Sequence, residues 1–309
     1  MQGRQGNLWL HRLAVLPACA TFLLIVAGAL VVGHEAGLSV PDWPLSFGTL
    51  MPPMEGNVFY EHGHRMIAGL VGTLMTVLAI WLWRTEPRKW VRWLGLAAVL
   101  AVILQAILGG MTVLYLLPIP ILIGHACLAQ LFFCMTVSLA VFTSPAWNSL
   151  PETPKQEDSG FPAFRNLSAA ATLAIFIQLI LGAARRHKWL GLAPHLIWAG
   201  VVTVLLLWVV YRALNQLPST ERTLRHLALA ISGLLIVQLG LGFGSYSTRL
   251  AAEGAPQPQS PVILVTTAHV AVGALLLGTS LILTLLAYRK LAAAGKILSF
   301  NGSPQKTMA

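Results

Sequence analysis

Eight long apolar runs leave this chain few folds to choose from. They cover residues 14–32, 66–83, 93–116, 121–142, 167–183, 192–211, 226–243 and 262–288. A helix needs about 20 residues to cross about 30 Å of hydrocarbon. Inside that medium the backbone must pair within its own segment, so runs of this length predict membrane-spanning helices. A membrane β-barrel would alternate polar and apolar residues, and these runs do not. Composition agrees: 56% of the 309 residues are hydrophobic and 10% are charged, with a mean hydropathy of +0.74. The first run exceeds the ~7–15 apolar residues of a signal peptide and is read as a true span. The expected fold class is an all-α polytopic membrane protein, with eight transmembrane helices arranged as two pseudo-symmetric four-helix bundles.

A net charge of +10 suggests nucleic acid only at first glance. Loops on the cytoplasmic side of membrane proteins are enriched in Lys and Arg. With alternating spans, Arg65, Arg185, Arg186, Lys188 and Arg249 fall on one side, and the other fifteen Lys and Arg fall opposite. The charge is thus explained by membrane topology, with lipid rather than nucleic acid as the surrounding partner. Both termini are expected in the cytoplasm of a cell (inner) membrane protein. Cys19, Cys127 and Cys134 all lie inside predicted spans, where packing is the simpler role, and no structural disulfide is expected.

A polar, proline-bearing stretch with Pro151, Pro154, Lys155, Glu157 and Asp158 divides the runs four and four. The predicted organisation is an N-terminal bundle over 1–145, a cytoplasmic linker over 146–166 and a C-terminal bundle over 167–309. The halves resemble each other. His64 and His195 both begin His-x3-Ala-Gly, and Gln105-x2-Leu108-Gly109 matches Gln238-x2-Leu241-Gly242, with Gln178-x2-Leu181-Gly182 as a third copy. Four spans per half give both halves the same orientation, as in a parallel duplication.

His64, His125, His195 and His269 each stand near the start of every second span. Alternate spans begin on one side, so the four imidazoles should share a depth near the outer face. Ionisable groups at membrane depth are expensive and usually functional. Paired imidazoles from facing helices suit a haem iron, whose porphyrin fills the other four positions. His64 with His125, and His195 with His269, are the candidate pairs. A lone membrane histidine is often only a hydrogen-bonded interior residue, but four at repeated positions fit that reading poorly.

Glu61 lies three residues before His64 and shares its helix face; the matching stretch before His195 has no acid. A carboxylate there could take protons or stabilise positive charge, or simply complement a helix N-terminus. His62 is a rival ligand, but two residues from His64 it should face elsewhere. Arg185, Arg186 and Lys188 read as a basic cluster in an outer loop. They could neutralise haem propionates, with Arg65 doing the same in the first half, or could contact anionic lipid. The loop over 33–61, with Pro41, Trp43, Pro44 and Phe47, reads as an interfacial anchor or, more sharply, as an ordered lid.

At this point the residues resemble the haem A synthase family of membrane enzymes. The likeness rests on Gly-Leu-Ser-x-Pro-Asp-Trp-Pro over 37–44, on Glu-x2-His-Arg over 61–65, on the histidines of spans four, six and eight, and on the duplicated layout. It covers about 14–288. The resemblance implies oxidation of the C8 methyl of haem O to the formyl of haem A through an alcohol. Glu61 would be the catalytic carboxylate, His64 and His125 the ligands of substrate haem O, and His195 and His269 the ligands of a haem b cofactor that takes the electrons. It also implies haem O synthase and cytochrome oxidase assembly proteins as partners. Many relatives carry cysteines where Val40 and Ser46 stand, and Arg-x-Thr where Val32-Gly33-His34 stands. The alternative is a diheme electron-transfer cytochrome that modifies nothing.

Overall fold

The computed structural model describes residues 7–151, 156–158, 160–256 and 258–293. Arg4, Pro154, Lys155, Lys296 and Lys306, used above, lie outside them. The eight apolar runs form α1 (Leu8–Gly33), α2 (Gly56–Thr85), α3 (Lys89–Leu114), α4 (Ile119–Thr143), α6 (Phe164–Arg186), α7 (Leu192–Asn215), α8 (Arg222–Ala251) and α9 (Ser260–Lys290). Their 23 to 31 residues rise 1.5 Å each, enough to cross the hydrocarbon with turns to spare. All eight are long and apolar enough to span a membrane. The chain is a multi-pass membrane protein.

Local chemistry sets the ends. Asn7 accepts from the backbone N–H groups of Trp9 and Leu10 and caps α1. Leu116 and Leu117 take the left-handed conformation and stop α3 just ahead of Pro118. Asp158 receives the N–H groups of Phe164 and Arg165 at the start of α6. The helices run past the sequence-derived ends chiefly at α2, which begins ten residues early and takes in Glu61 and His64.

In the first half, contacts close a ring: α1 on α2, α2 on α3, α3 on α4, and α4 on α1. In the second half, α6, α7, α8 and α9 close a ring in the same order. Each ring has its own apolar core, one built around Met75, Leu78 and Phe132, the other around Leu206, Ile231 and Leu283. A smaller cluster of Ile25, Phe133, Val137 and Ala274 joins the rings where α1 and α4 meet α9. There Gly278 admits the Phe133 ring, since a Cβ would stand 3.2 Å from it. Large side chains such as Leu100, Ile236 and Phe243 project outward, as lipid contact allows.

The stretch between the halves is more structured than a plain linker. It holds the short helix α5 (Pro145–Asn148) and strand β1 (Gln156–Asp158). Strand β1 pairs in parallel with β2 (Leu291–Ala293), directly after α9. Nearby, Arg289 donates to the Leu150 carbonyl, the Tyr288 hydroxyl donates to Asn166, and Lys290 pairs with Glu221 at 2.7 Å. These contacts clasp the linker end of the bundle.

Candidate haem-binding site

The four histidines stand at one end of the bundle, each in the first third of its helix, and each ring meets a glycine on the preceding helix. A Cβ built on Gly28 would lie 3.1 Å from Cε1 of His64. The corresponding distances are 3.2 Å for Gly109 and His125, 3.3 Å for Gly182 and His195, and 3.2 Å for Gly242 and His269. The same edge of the imidazole is turned to the glycine every time, Cε1 nearest and Nδ1 next. In His64, His125 and His269, Nδ1 is enclosed there, against the backbone of Leu24, Gln105 and Gln238 respectively. Nε2 is therefore the nitrogen turned away from the neighbouring helix. Only glycine lets two membrane helices close on a ring in this way. Gly109, Gly182 and Gly242 belong to the motif seen in the sequence. Gly28 was missed, because its copy reads Leu24-x2-Ala27-Gly28, without the glutamine.

The glutamines have a job as well. The Gln105 amide donates to the backbone carbonyl of His125 at 2.9 Å, and that of Gln178 to the carbonyl of His195 at 3.0 Å. Gln178 also lies 3.2 and 3.3 Å from the two ring nitrogens of His195. Gln238 rests against Gly273, one turn beyond His269.

The His195 and His269 ring centres are 6.4 Å apart with their planes at 69°. A metal–imidazole bond of about 2 Å sets a ring centre about 3 Å from the metal, so two opposed ligands span about 6 Å. The pair fits a haem iron held on both faces. Among the described residues no three His, Cys, Asp or Glu gather as a bare metal ion would need. His125 lies within electrostatic range of His64.

Beside His64, the loop expected as a lid is folded down onto α2. Glu61 is buried; one oxygen pairs with Arg65 at 2.6 Å and the other accepts the Val40 N–H at 2.9 Å. Arg65 also donates to the carbonyls of Val40, Asp42 and Leu45. Asp42 accepts the N–H groups of Phe47 and Gly48, and the Gly48 bond leads in holding its exposed carboxyl below the usual range. The Trp43 indole lies over Gly110, where a Cβ would come within 2.6 Å of it. His62 faces this loop and bonds Ser46 at 2.8 Å, away from the direction of His64. His34 stacks on Tyr60 at 3.7 Å. Two sequence expectations change here. Glu61 is no first-turn acid, since α2 starts five residues before it. Arg65 is not free for a propionate, because both its terminal nitrogens are spent on Glu61 and the loop carbonyls.

Arg185 and Arg186 form the last turn of α6 rather than a loop, and only Lys188 lies beyond it. Nε of Arg185 is enclosed without a partner. Arg249 of α8 joins them, within electrostatic range of both arginines, and Arg185 likewise reaches His195. Burial, reinforced by Arg186, holds His187 below the usual histidine range. Arg249 was not singled out as a site residue, although it stands two turns past Gly242 on the same face of α8.

Residues 54–195, which hold three of the four histidines, match the family model described as cytochrome oxidase assembly protein. That part of the chain is similar to proteins named heme A synthase. A protein named heme A synthase from Shouchella clausii is 36% identical over 110 residues, 34% of this chain and 36% of its own length. Another from Roseobacter denitrificans is 38% identical over 128 residues, 37% of this chain and 33% of its own. A third, from Bacillus pumilus, is 25% identical over 187 residues, 60% of this chain and 61% of its own. The chain thus spans only about a third of the first relatives' length in these matches.

Proposed function

We propose that this protein is a haem A synthase, which oxidises the C8 methyl of haem O to a formyl group through an alcohol. The observation that carries the reading is the pair of two-histidine sites built on a repeated glycine, with, among the described residues, a buried carboxylate one turn before His64 but none before His195. Haem O would lie in the N-terminal half between His64 and His125. A haem b would lie in the C-terminal half on His195 and His269, and would supply a one-electron carrier for the electrons removed.

The chain's own residues would do the following. His64 and His125 offer Nε2 to the substrate iron and fix the macrocycle at the depth of Glu61. Glu61 provides a negative charge for a positive charge developing at the methyl carbon, or takes its proton. The folded loop over 36–48 excludes water above that carboxylate. Arg185, Arg186 and Arg249 neutralise the propionates of the haem b. The excess of positive residues at the linker end supports a cytoplasmic position for that end and both termini, with the haem sites toward the outer side.

The test is mass spectrometry of haem extracted from a host that makes haem O but no haem A, with and without this protein. Haem A or its alcohol precursor should appear only with it. A folded, haem-loaded protein beside unchanged haem O, in a host whose respiratory chain supplies an electron acceptor, would overturn the enzyme and leave the diheme cytochrome.

A further inference from the structure

We infer that His64 is the exchangeable member of the His64–His125 pair, because Leu24 stands where the hairpin that carries His125 has Gln105. This rests on the reading of the N-terminal half as a haem site. The four glycine–histidine contacts are nearly identical, so the rings themselves do not distinguish the sites. What differs lies four residues before each glycine: Gln105, Gln178 and Gln238 in three cases, Leu24 in the first. The helix carrying His125 or His195 is pinned to its neighbour by an amide bonded to the histidine's own carbonyl. A leucine side chain has no donor, so the His64 carbonyl has no such tie to α1, and only the His64 ring meets the Leu24 backbone, as the His125 and His269 rings meet theirs.

The start of α2 is held from the other side instead. Glu61, three residues before His64, and Arg65, one after it, bind Val40, Asp42 and Leu45 of the loop. The position of His64 is therefore shared between packing on α1 and a surface loop, whereas the backbone of His125 is bonded directly to a transmembrane partner. With that loop lifted, the His64 end of α2 would be free to draw back and take Nε2 out of reach of a bound haem, while His125 would keep hold of it. An enzyme whose product resembles its substrate needs one such ligand. Two rigid ones would hold the product as firmly as the substrate.

The experiment uses the full-length protein in lipid nanodiscs, loaded with haem b as the probe. Transfer to apomyoglobin is followed, and the bis-imidazole spectrum of the C-terminal site serves as internal standard. In His64→Ala the N-terminal haem hangs on His125; in His125→Ala it hangs on His64. The His125→Ala protein should lose it about tenfold faster. Adding Leu24→Gln to His125→Ala should recover most of that difference, which a merely structural residue would not do. Equal rates, a reversed order, or no effect of Leu24→Gln would overturn the inference while leaving the site intact. A wild-type protein that takes haem b only in its C-terminal half would overturn both this inference and the reading of the N-terminal site.

Discussion

Glu61 is asked to do two things, and its surroundings let them be separated. Glu61→Gln keeps an acceptor for the Val40 N–H but loses the ion pair with Arg65. Under the proposed function this variant retains haem, while haem A formation falls about 10²-fold or more, the usual scale of an acid–base group. Full activity would remove Glu61 from the chemistry and leave it as a loop anchor. Asp42 gives the loop a pH dependence of known sign. Its folded pKa is depressed, so its contribution is complete above the unfolded value of about 3.9 and fades as pH falls through the lower folded one. The protection of the backbone amides over 36–48, taken relative to their intrinsic exchange rates at each pH, should be flat from pH 7 to 5 and fall below about pH 4, a fall absent in Asp42→Asn. For the arginines, an Arg185→Ala/Arg186→Ala protein should lose C-terminal haem faster than wild type in the same apomyoglobin assay, and Arg249→Ala should add to the loss. Unchanged retention would assign these residues to lipid or solvent. The sequence could show that these groups were present but not how they were spent. Arg65 looks like a propionate partner until the fold hands its nitrogens to three carbonyls 20 to 25 residues upstream, a tertiary contact with no periodic signal.

At the level of the helix, apolar length was a strong guide. All eight spans follow from apolar length alone, because a membrane admits little besides helices at that length. The ends escaped, since α2 begins with the mixed polar stretch Gly56–Glu61 and is held by the loop rather than by hydropathy. The glycine pattern was read in three helices and missed in α1, where the flanking glutamine is absent. Its importance can be measured. Gly242→Ala would set a methyl 3.2 Å from Cε1 of His269, tight enough to turn the ring or part the helices. Overpacking of this kind costs about 1–3 kcal/mol. The bis-imidazole absorption of the C-terminal site should weaken in Gly242→Ala and vanish in Gly242→Val. An unaltered spectrum would mean that the glycine is there only for packing.

For the whole molecule, the duplicated motifs foretold two like halves, and both rings do close in the same order. How they dock was not legible, because the junction depends on single shapes such as Phe133 against Gly278 rather than on a repeat. Gly278→Leu should push α4 from α9 and lower the midpoint of thermal unfolding, at a cost of about 1–3 kcal/mol. The clasp at the linker end carries a further consequence, one of timing. Strand β1 leaves the ribosome about 130 residues before its partner β2, on the order of ten seconds earlier at ordinary rates of synthesis. The first ring can close during that wait, but the segment behind it stays unpaired until the last helix has emerged. The parallel strand pair is thus a late event in biogenesis, and its formation marks a chain whose second half has reached the membrane in full.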